Sequence, residues 1–438
     1  MFVFILPILL LITCFISMLC KRKSLVLSVG IIFLIELVWE IISCAYLDFG
    51  NVYIIETALT SHYTGALIRM VILYLPLILI ILSKKSGELN KAYQNKFYTK
   101  KINCDSCIRA ILVFTLLVVF YCILDMFVSG IPLFSSEITR INYSKYSRLP
   151  FATKMNGEIT FFGMIIAGVA YFNKSNKFNK KIAITLFLIS IVYRLLMEYK
   201  YHGMYNIIFS FFLPGLIMYY KKKDYKLFSL KNILKIITIS FAVICLCLFI
   251  YSNTNKNFDA KKLLFDRVFA LQSHTFWTLD EKMWASKKFS GDKNELKSEV
   301  YAIINNLGEL DTNSGIIRVM YEISNKSTVD ANLANGVRWA GSYLTVGINT
   351  IGYLGTIMIS CALGLLILFD IKMFYTSMNN NEFFILYFAQ SFMWDLLDYF
   401  RIGNWCLLIN AKTLITFVVL LIIYLLKKRN EGLVISNG

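Results

Sequence analysis

The residues best suited to chemistry lie together in the stretch from Asp266 to Trp277. Arg267 supplies a permanent cation, and His274 supplies an imidazole that exchanges a proton near neutral pH. The two are seven residues apart, so a helix would place them on one face. An interfacial helix whose polar face meets water would show the same pattern. We take Arg267 and His274 as catalytic candidates, and Gln272 and Trp277 as substrate-binding candidates.

A second candidate site follows the sequence Gly130-Ile131-Pro132-Leu133-Phe134. Arg140 and Arg148 lie in this short basic segment, which also contains several tyrosines. A guanidinium group presents a planar fork of donors that matches phosphate oxygens, so both arginines are candidate ligands of a diphosphate. The alternative is that they anchor the chain at a membrane surface.

Two further arginines are candidates for the same role. Arg338 stands directly before Trp339 and an apolar run, where it either holds an anion or marks a membrane interface. Arg401 follows Asp395 and Asp398 closely, so an ion pair with one of them is the alternative to substrate binding.

Acidic residues also occur within the apolar runs. Glu36 and Glu40 are one helical turn apart, and charged groups inside a membrane are usually paired or functional. We expect a structural ion pair with Arg69, with a proton pathway as the alternative.

The chain lacks the common motifs of ATP-driven or metal-dependent enzymes. We find no Walker A sequence, no H-E-x-x-H and no G-x-S-x-G. We therefore expect metal-independent chemistry with no cofactor, in which arginines stabilise developing negative charge.

The elements that position these residues are predicted to be membrane helices. Of 438 residues, 57% are hydrophobic and only 16% are charged, with a mean hydropathy of +0.62. A soluble core cannot bury this fraction of apolar side chains, and the apolar runs have the length of transmembrane helices. The net charge of +18 comes from short clusters between apolar runs, so nucleic-acid binding is not expected. The predicted fold is an all-α integral membrane protein.

Eleven spans are expected, near residues 1–20, 24–47, 66–83, 110–129, 158–172, 182–197, 203–220, 236–252, 343–369, 383–398 and 406–426. The predicted regions are a bundle at 1–252 with an outer loop at 130–157, a large outer loop at 253–342, and a bundle with a short cytoplasmic tail at 343–438. Within the large loop, the periodicity predicts an amphipathic helix from Asp259 to Ala285.

The distribution of lysine and arginine predicts the orientation. Short segments on one side exceed those on the other by about four to one in basic residues. This bias puts the N-terminus outside, the C-terminus in the cytoplasm, and residues 253–342 on the outer face. His62, His202 and His274 all fall on that outer face.

The architecture and these clusters resemble the Wzy-type O-antigen and capsule repeat-unit polymerases of bacteria. In hydropathy the resemblance covers the whole chain. In amino-acid identity it covers only three short stretches, which are Gly130 to Phe134 leading to Arg140, Asp266 to Trp277, and Gly347 to Gly355. Some members carry paired R-x(10)-G motifs, and this spacing is absent after the arginines named above.

The resemblance implies a glycosyltransferase of the bacterial inner membrane, with a bundle like that of the O-antigen ligases. It would polymerise undecaprenyl-diphosphate-linked oligosaccharides for lipopolysaccharide or capsule, among membrane lipids and alongside a flippase and a chain-length regulator. Arg140, Arg148, Arg267 and Arg338 would include the diphosphate ligands, and His274 would handle the acceptor hydroxyl. An O-antigen ligase, a lipid-linked oligosaccharide flippase and a membrane scaffold are the alternatives.

Overall fold

The structure is a computed structural model. It describes residues 30–82, 105–135, 137–138, 140, 142–172, 176–197, 201–222, 269–305, 314–334, 337–380 and 382–436. These residues are predominantly helical, which confirms the expectation of an all-α chain. The predicted spans at 1–20 and 236–252, and the candidate Arg267, lie outside the described residues.

The long described helices follow the apolar runs of the sequence, and shorter helices lie between them. In chain order they are α1 (Ile31–Gly50), α2 (Ala66–Leu82), α3 (Asp105–Ser129), α4 (Tyr143–Tyr146), α5 (Ala152–Met155), α6 (Glu158–Phe172), α7 (Lys177–Leu196), α8 (Tyr201–Lys222), α9 (His274–Ala285), α10 (Lys293–Ile304), α11 (Gly315–Ile323), α12 (Lys326–Ala334), α13 (Tyr343–Asn380), α14 (Phe383–Ile402), α15 (Trp405–Leu408) and α16 (Ala411–Ser436). A 3-10 turn spans Pro132–Phe134, and a small antiparallel hairpin pairs β1 (Tyr53–Ile54) with β2 (Leu59–Thr60).

Two of the described helical stretches are long and apolar enough to cross a membrane. They are Asp105–Phe134 and Tyr343–Met378. In a membrane every backbone polar group needs an internal partner, and a helix supplies it. This finding supports membrane association and leaves the predicted number of eleven spans as a prediction.

The chain forms two compact units whose segments alternate along the sequence. The first unit draws its described residues from 1–88, 225–374 and 391–438, and the second from 89–224 and 375–390. The first unit therefore combines helices from both predicted bundles with the predicted outer loop.

In the second unit, α6 is the central helix and packs against α3, α7 and α8. Asp125, near the end of α3, is buried and organises the loop that follows. Its carboxylate accepts hydrogen bonds from the hydroxyls of Tyr143 and Ser147, both at 2.8 Å, and from the backbone N–H of Leu149 at 2.9 Å. A carboxylate at a helix end with several local donors fixes a loop in one conformation.

In the first unit, α9 packs on α1, α2 and α11. The predicted helix from Asp259 to Ala285 is interrupted, because residues 270–273 form turns, and its last part is the separate helix α9 that begins at His274. The backbone N–H of Ser273 donates to the Ser43 hydroxyl at 3.0 Å, and the Ser273 hydroxyl donates to the Glu40 carbonyl at 2.6 Å. These contacts with α1 replace the hydrogen bonds of a continuous helix.

Helix α13 is interrupted at Gly352, whose φ of 74° is left-handed. The backbone of residues 289–291 fits into this break, and a Cβ at Gly352 would lie 2.3 Å from the Phe289 carbonyl oxygen. Only glycine adopts this conformation and allows this approach without strain. The break therefore fixes the loop after α9 against α13.

Candidate functional site

The extended segment at residues 337–342 runs between several elements of the first unit. On one side, the Thr275 hydroxyl of α9 donates to the Ala340 carbonyl at 2.8 Å. On the other, Gly403 approaches the Ser342 carbonyl so closely that a Cβ would lie 2.5 Å from it. The segment thereby brings Arg338 and Trp339 beside the first turn of α9 and the turn after α14.

His274, the first residue of α9, has a defined tautomer. Its Nδ1 lies 2.8 Å from the Leu271 carbonyl oxygen. A carbonyl oxygen only accepts, so Nδ1 must carry the hydrogen. In the neutral ring, Nε2 then bears a free lone pair, which is the form of histidine that acts as a base.

Burial keeps His274 in this neutral form. The side chain is 1% exposed, and its ring lies 5.7 Å from the Trp339 ring, centroid to centroid. Removal from water disfavours the imidazolium ion and lowers the pKa of His274, although Glu56 acts in the opposite direction. At neutral pH the residue is therefore an uncharged acceptor of protons.

Arg338 brings a positive charge to the same segment. Its side chain is half-buried, and burial lowers its pKa from the ordinary arginine value, which still leaves it charged at neutral pH. A guanidinium group with reduced hydration attracts an anion more strongly than one in water, because the local dielectric is lower.

The same region contains a buried carboxylate that the sequence analysis missed. Glu299 of α10 is 1% exposed, and one carboxylate oxygen accepts a hydrogen bond from the backbone N–H of Trp405 at 3.2 Å. The backbone of Gly315 also donates to it, but burial dominates and raises its pKa to about 7. In the sequence, Glu299 is indistinguishable from the other charged residues of a polar helix, so no local signal identifies it.

Asn404 completes the turn beside Glu299. Its side-chain oxygen accepts from the backbone N–H of Ile316 at 2.8 Å, at the start of α11. Gly315 has a φ of 58°, which favours glycine, and lies directly against Asn404. The turn after α14 and the N-terminus of α11 are thus held by side chains distant in sequence.

Several buried polar atoms around the 337–342 segment have no hydrogen-bond partner within the described part of the chain. They are Nε2 of His274, Oε1 of Glu299, Nε1 of Trp339, Nδ2 of Asn404 and Nε1 of Trp405. Buried polar atoms are normally hydrogen-bonded to protein, water or ligand. Their concentration here makes this region the candidate site.

Trp277 does not face this site, which corrects its prediction as a substrate contact. The ring is fully buried, and its Nε1–H donates to Asp48 at 2.9 Å. Asp48 also accepts from the backbone N–H of Leu67 at 2.9 Å, at the start of α2. Trp277 therefore ties α9 to the C-terminal end of α1, which also contacts the start of α2.

The ion pairs predicted inside the apolar runs have other partners. Arg401 forms an ion pair with Glu36 at 2.6 Å. Glu40 accepts a hydrogen bond from the Tyr74 hydroxyl. The predicted pair of these acids with Arg69 is therefore wrong, because α14 and α2 supply nearer partners.

Arg69 instead binds a residue of the predicted outer loop. Its Nε donates to both carboxylate oxygens of Asp280, at 3.0 and 2.8 Å, and the Tyr353 hydroxyl donates to the same carboxylate at 2.7 Å. The guanidinium carbon lies 4.5 Å from the centre of the Trp284 ring. A groove of about 350 Å³ lies beside these residues, lined also by Ile72, Phe289 and Ile357.

The remaining candidates lie elsewhere. Gln272 is half-buried in the turn before α9. Arg140 and Arg148 are exposed and belong to the second unit, and the backbone N–H of Arg148 donates to Asp125 at 3.1 Å. Of the residues selected from sequence, Arg338 belongs to the 337–342 segment and His274 lies against its Trp339 ring.

Comparison with known proteins gives one finding. A family model described as a family of unknown function (DUF6418) matches residues 309–417. This range includes Arg338, the 337–342 segment and Asn404. No curated protein and no solved structure matches the chain.

Proposed function

We propose that this protein is a glycosyltransferase of the bacterial inner membrane that polymerises oligosaccharide repeat units carried on undecaprenyl diphosphate. The product would be O-antigen or capsular polysaccharide, as in the Wzy-type polymerases. The proposal includes eleven spans and an outer location for residues 253–342. It is supported by the hydropathy of the chain and the two apolar helical stretches.

One observation carries the chemical part of the proposal. His274 is buried and neutral, with Nδ1 occupied by a backbone carbonyl and Nε2 left free beside the Arg338–Trp339 segment. A base with one free lone pair suits the removal of a proton from an acceptor hydroxyl, and a cation in the adjoining segment suits the stabilisation of a diphosphate leaving group.

In the proposed reaction, the acceptor hydroxyl oxygen attacks the anomeric carbon of the donor sugar. The bond from that carbon to the diphosphate oxygen breaks, and its electron pair leaves with the diphosphate. Nε2 of His274 takes the hydroxyl proton, and Arg338 stabilises the charge that develops on the diphosphate. The proton then passes from His274 to the released diphosphate, which restores the neutral base.

The test is complementation of a strain that lacks its repeat-unit polymerase. We expect the wild-type protein to restore long polysaccharide chains. His274→Gln removes the base, and general-base catalysis typically contributes about 10²–10⁴-fold. Arg338→Ala removes a charge-stabilising donor, for which losses of about 10²–10³-fold are typical. Both variants should leave single repeat units at normal protein levels.

Matched controls separate chemistry from general damage. His62→Gln alters an exposed histidine that contacts Glu281, and Lys297→Ala removes an exposed cation of α10. Both should restore long chains. Long chains from His274→Gln would refute the assigned base. If loss of the native protein leaves bare lipopolysaccharide core, the protein is a ligase instead.

A further inference from the structure

Helix α13 carries a buried carboxyl group without a hydrogen-bond partner among the described residues. Asp370 lies in its apolar part and is 1% exposed. Neither carboxylate oxygen has a hydrogen-bond partner among the residues that the structure describes. The polymerase proposal makes no use of this residue.

The surroundings of Asp370 disfavour a negative charge. An isolated carboxylate in an apolar interior is so unstable that the group takes up a proton instead. Asp395 of α14 carries a like charge that acts on Asp370. On its own helix, Lys372 is engaged with the Tyr424 hydroxyl at 3.1 Å. Burial and repulsion therefore act in the same direction.

Asp395 differs from Asp370 because it has donors for its charge. One oxygen lies 3.0 Å from Nζ of Lys412, and the other accepts from the Thr413 hydroxyl at 2.9 Å. The Lys412 side chain is 49% exposed and that of Asp395 is 14% exposed. Asp395 thus has two donors for a negative charge and is partly open to solvent.

We propose that Asp370 is a proton-binding site that exchanges its proton through Asp395. In the loading step, protonated Asp395 gives its proton to the Asp370 carboxylate, and Asp395 becomes an anion again beside Lys412 and Thr413. Unloading is the reverse, with the proton leaving Asp370 for Asp395. Chains of acidic side chains within membrane-spanning segments serve as proton relays in pumps and transporters.

The first measurement is infrared spectroscopy of the full-length protein in lipid nanodiscs, with aspartate labelled with carbon-13. We expect a protonated-carboxyl band at neutral pH that carries the aspartate isotope shift. Asp370→Asn, which keeps the shape of the side chain, should remove this band, whereas the control Asp330→Asn on α12 should retain it. The isotope shift in the wild-type protein shows that the acid is an aspartate even if Asp370→Asn fails to fold.

Two results would contradict the proposal that Asp370 binds a proton. Absence of a shifted band at neutral pH would mean that Asp370 is ionised. A band that disappears when sodium is added at constant pH would mean that the ligand is a monovalent cation.

The second measurement tests the route. The Asp370 band shifts when the sample is moved to heavy water, and the rate of this shift reports proton exchange. Asp395→Asn should slow the shift, whereas Asp330→Asn should not. An unchanged rate in Asp395→Asn would remove Asp395 from the route.

Discussion

At the scale of single residues, the chemical role of His274 depends on a contact that its sequence position does not specify. The sequence identifies a histidine in a suitable segment, but the Leu271 carbonyl decides which ring nitrogen carries the hydrogen. The turn that supplies this carbonyl exists because Ser273 bonds to α1. Tertiary structure thus turns a candidate residue into a defined base.

Two other candidate residues show the same limit. Trp277 and Arg401 have the types and positions expected of ligand contacts, but each binds a residue far away in the chain, Asp48 and Glu36 respectively. Glu299 is the converse case, since an apparently exposed acid is buried by α11 and the turn after α14. Sequence patterns report local periodicity and not such distant partners.

Glu299 gives a prediction about stability against pH. Its pKa rises from 4.5 to about 7 on folding. The folded state thus holds the Glu299 proton more tightly than the unfolded state does. The stabilisation that this gives is fully present below pH 4.5 and is lost as the pH rises to about 7. The free energy of unfolding should fall by about 3 kcal/mol over this interval through this group.

Glu299→Gln should remove this part of the pH dependence, because glutamine does not titrate. Thermal unfolding of the protein in nanodiscs between pH 4.5 and 8 measures the difference between the two proteins. Glu382→Gln, at a less buried position before α14, serves as the control and should follow the wild type. Parallel curves for Glu299→Gln and wild type would show that Glu299 does not titrate in this range.

At the scale of elements, the long described helices coincide with apolar runs from which spans were predicted, because continuous hydrophobicity of this length is a strong local signal. Interruptions were not predictable in the same way. The start of α9 at His274 and the break in α13 at Gly352 both depend on another segment that fits against the backbone.

The break at Gly352 gives a prediction about an element. Gly352→Ala should destabilise the protein by about 1–3 kcal/mol, since the left-handed backbone is strained for alanine. Its Cβ would also meet the Phe289 carbonyl at 2.3 Å. Thermal unfolding of the detergent-solubilised protein measures this loss.

Gly364→Ala, in the continuous part of α13, is the matched control. Its Cβ would lie 3.2 Å from the Cβ of Ile80, so α2 must shift by only a few tenths of an ångström, and alanine favours a helix over glycine. This variant should be as stable as the wild type or slightly more so. Equal destabilisation by both substitutions would argue against a special conformation at Gly352.

At the scale of the whole molecule, segments that the charge distribution puts on the outer side meet within the first unit. His62, in the loop between α1 and α2, lies 3.1 Å from Glu281 of α9. Ser324, after α11, donates to the Glu56 carbonyl at 2.6 Å, and the Trp405 backbone donates to Glu299. Segments on one side of a membrane are free to make such contacts.

This arrangement predicts the results of topology reporters. Alkaline phosphatase, which folds only outside the cytoplasm, should be active when it is fused after residue 290, in the loop after α9. Alkaline phosphatase fused after residue 381, between α13 and α14, should be inactive. A fluorescent protein that folds only in the cytoplasm should be fluorescent when it is fused at the same position. The opposite pair of results would put residues 253–342 in the cytoplasm, away from a lipid-linked substrate on the outer face.

The central claim is that His274 is the base of a polymerase that acts on lipid-linked repeat units. The most direct test uses the purified full-length protein in nanodiscs with synthetic polyprenyl-diphosphate-linked repeat units, and follows glycan length and release of the lipid diphosphate. The account predicts that the wild type and His62→Gln form long glycans and release lipid diphosphate to the same extent. Folded His274→Gln should form neither product. Lengthening by His274→Gln at the wild-type rate, or none by the wild type, would contradict it.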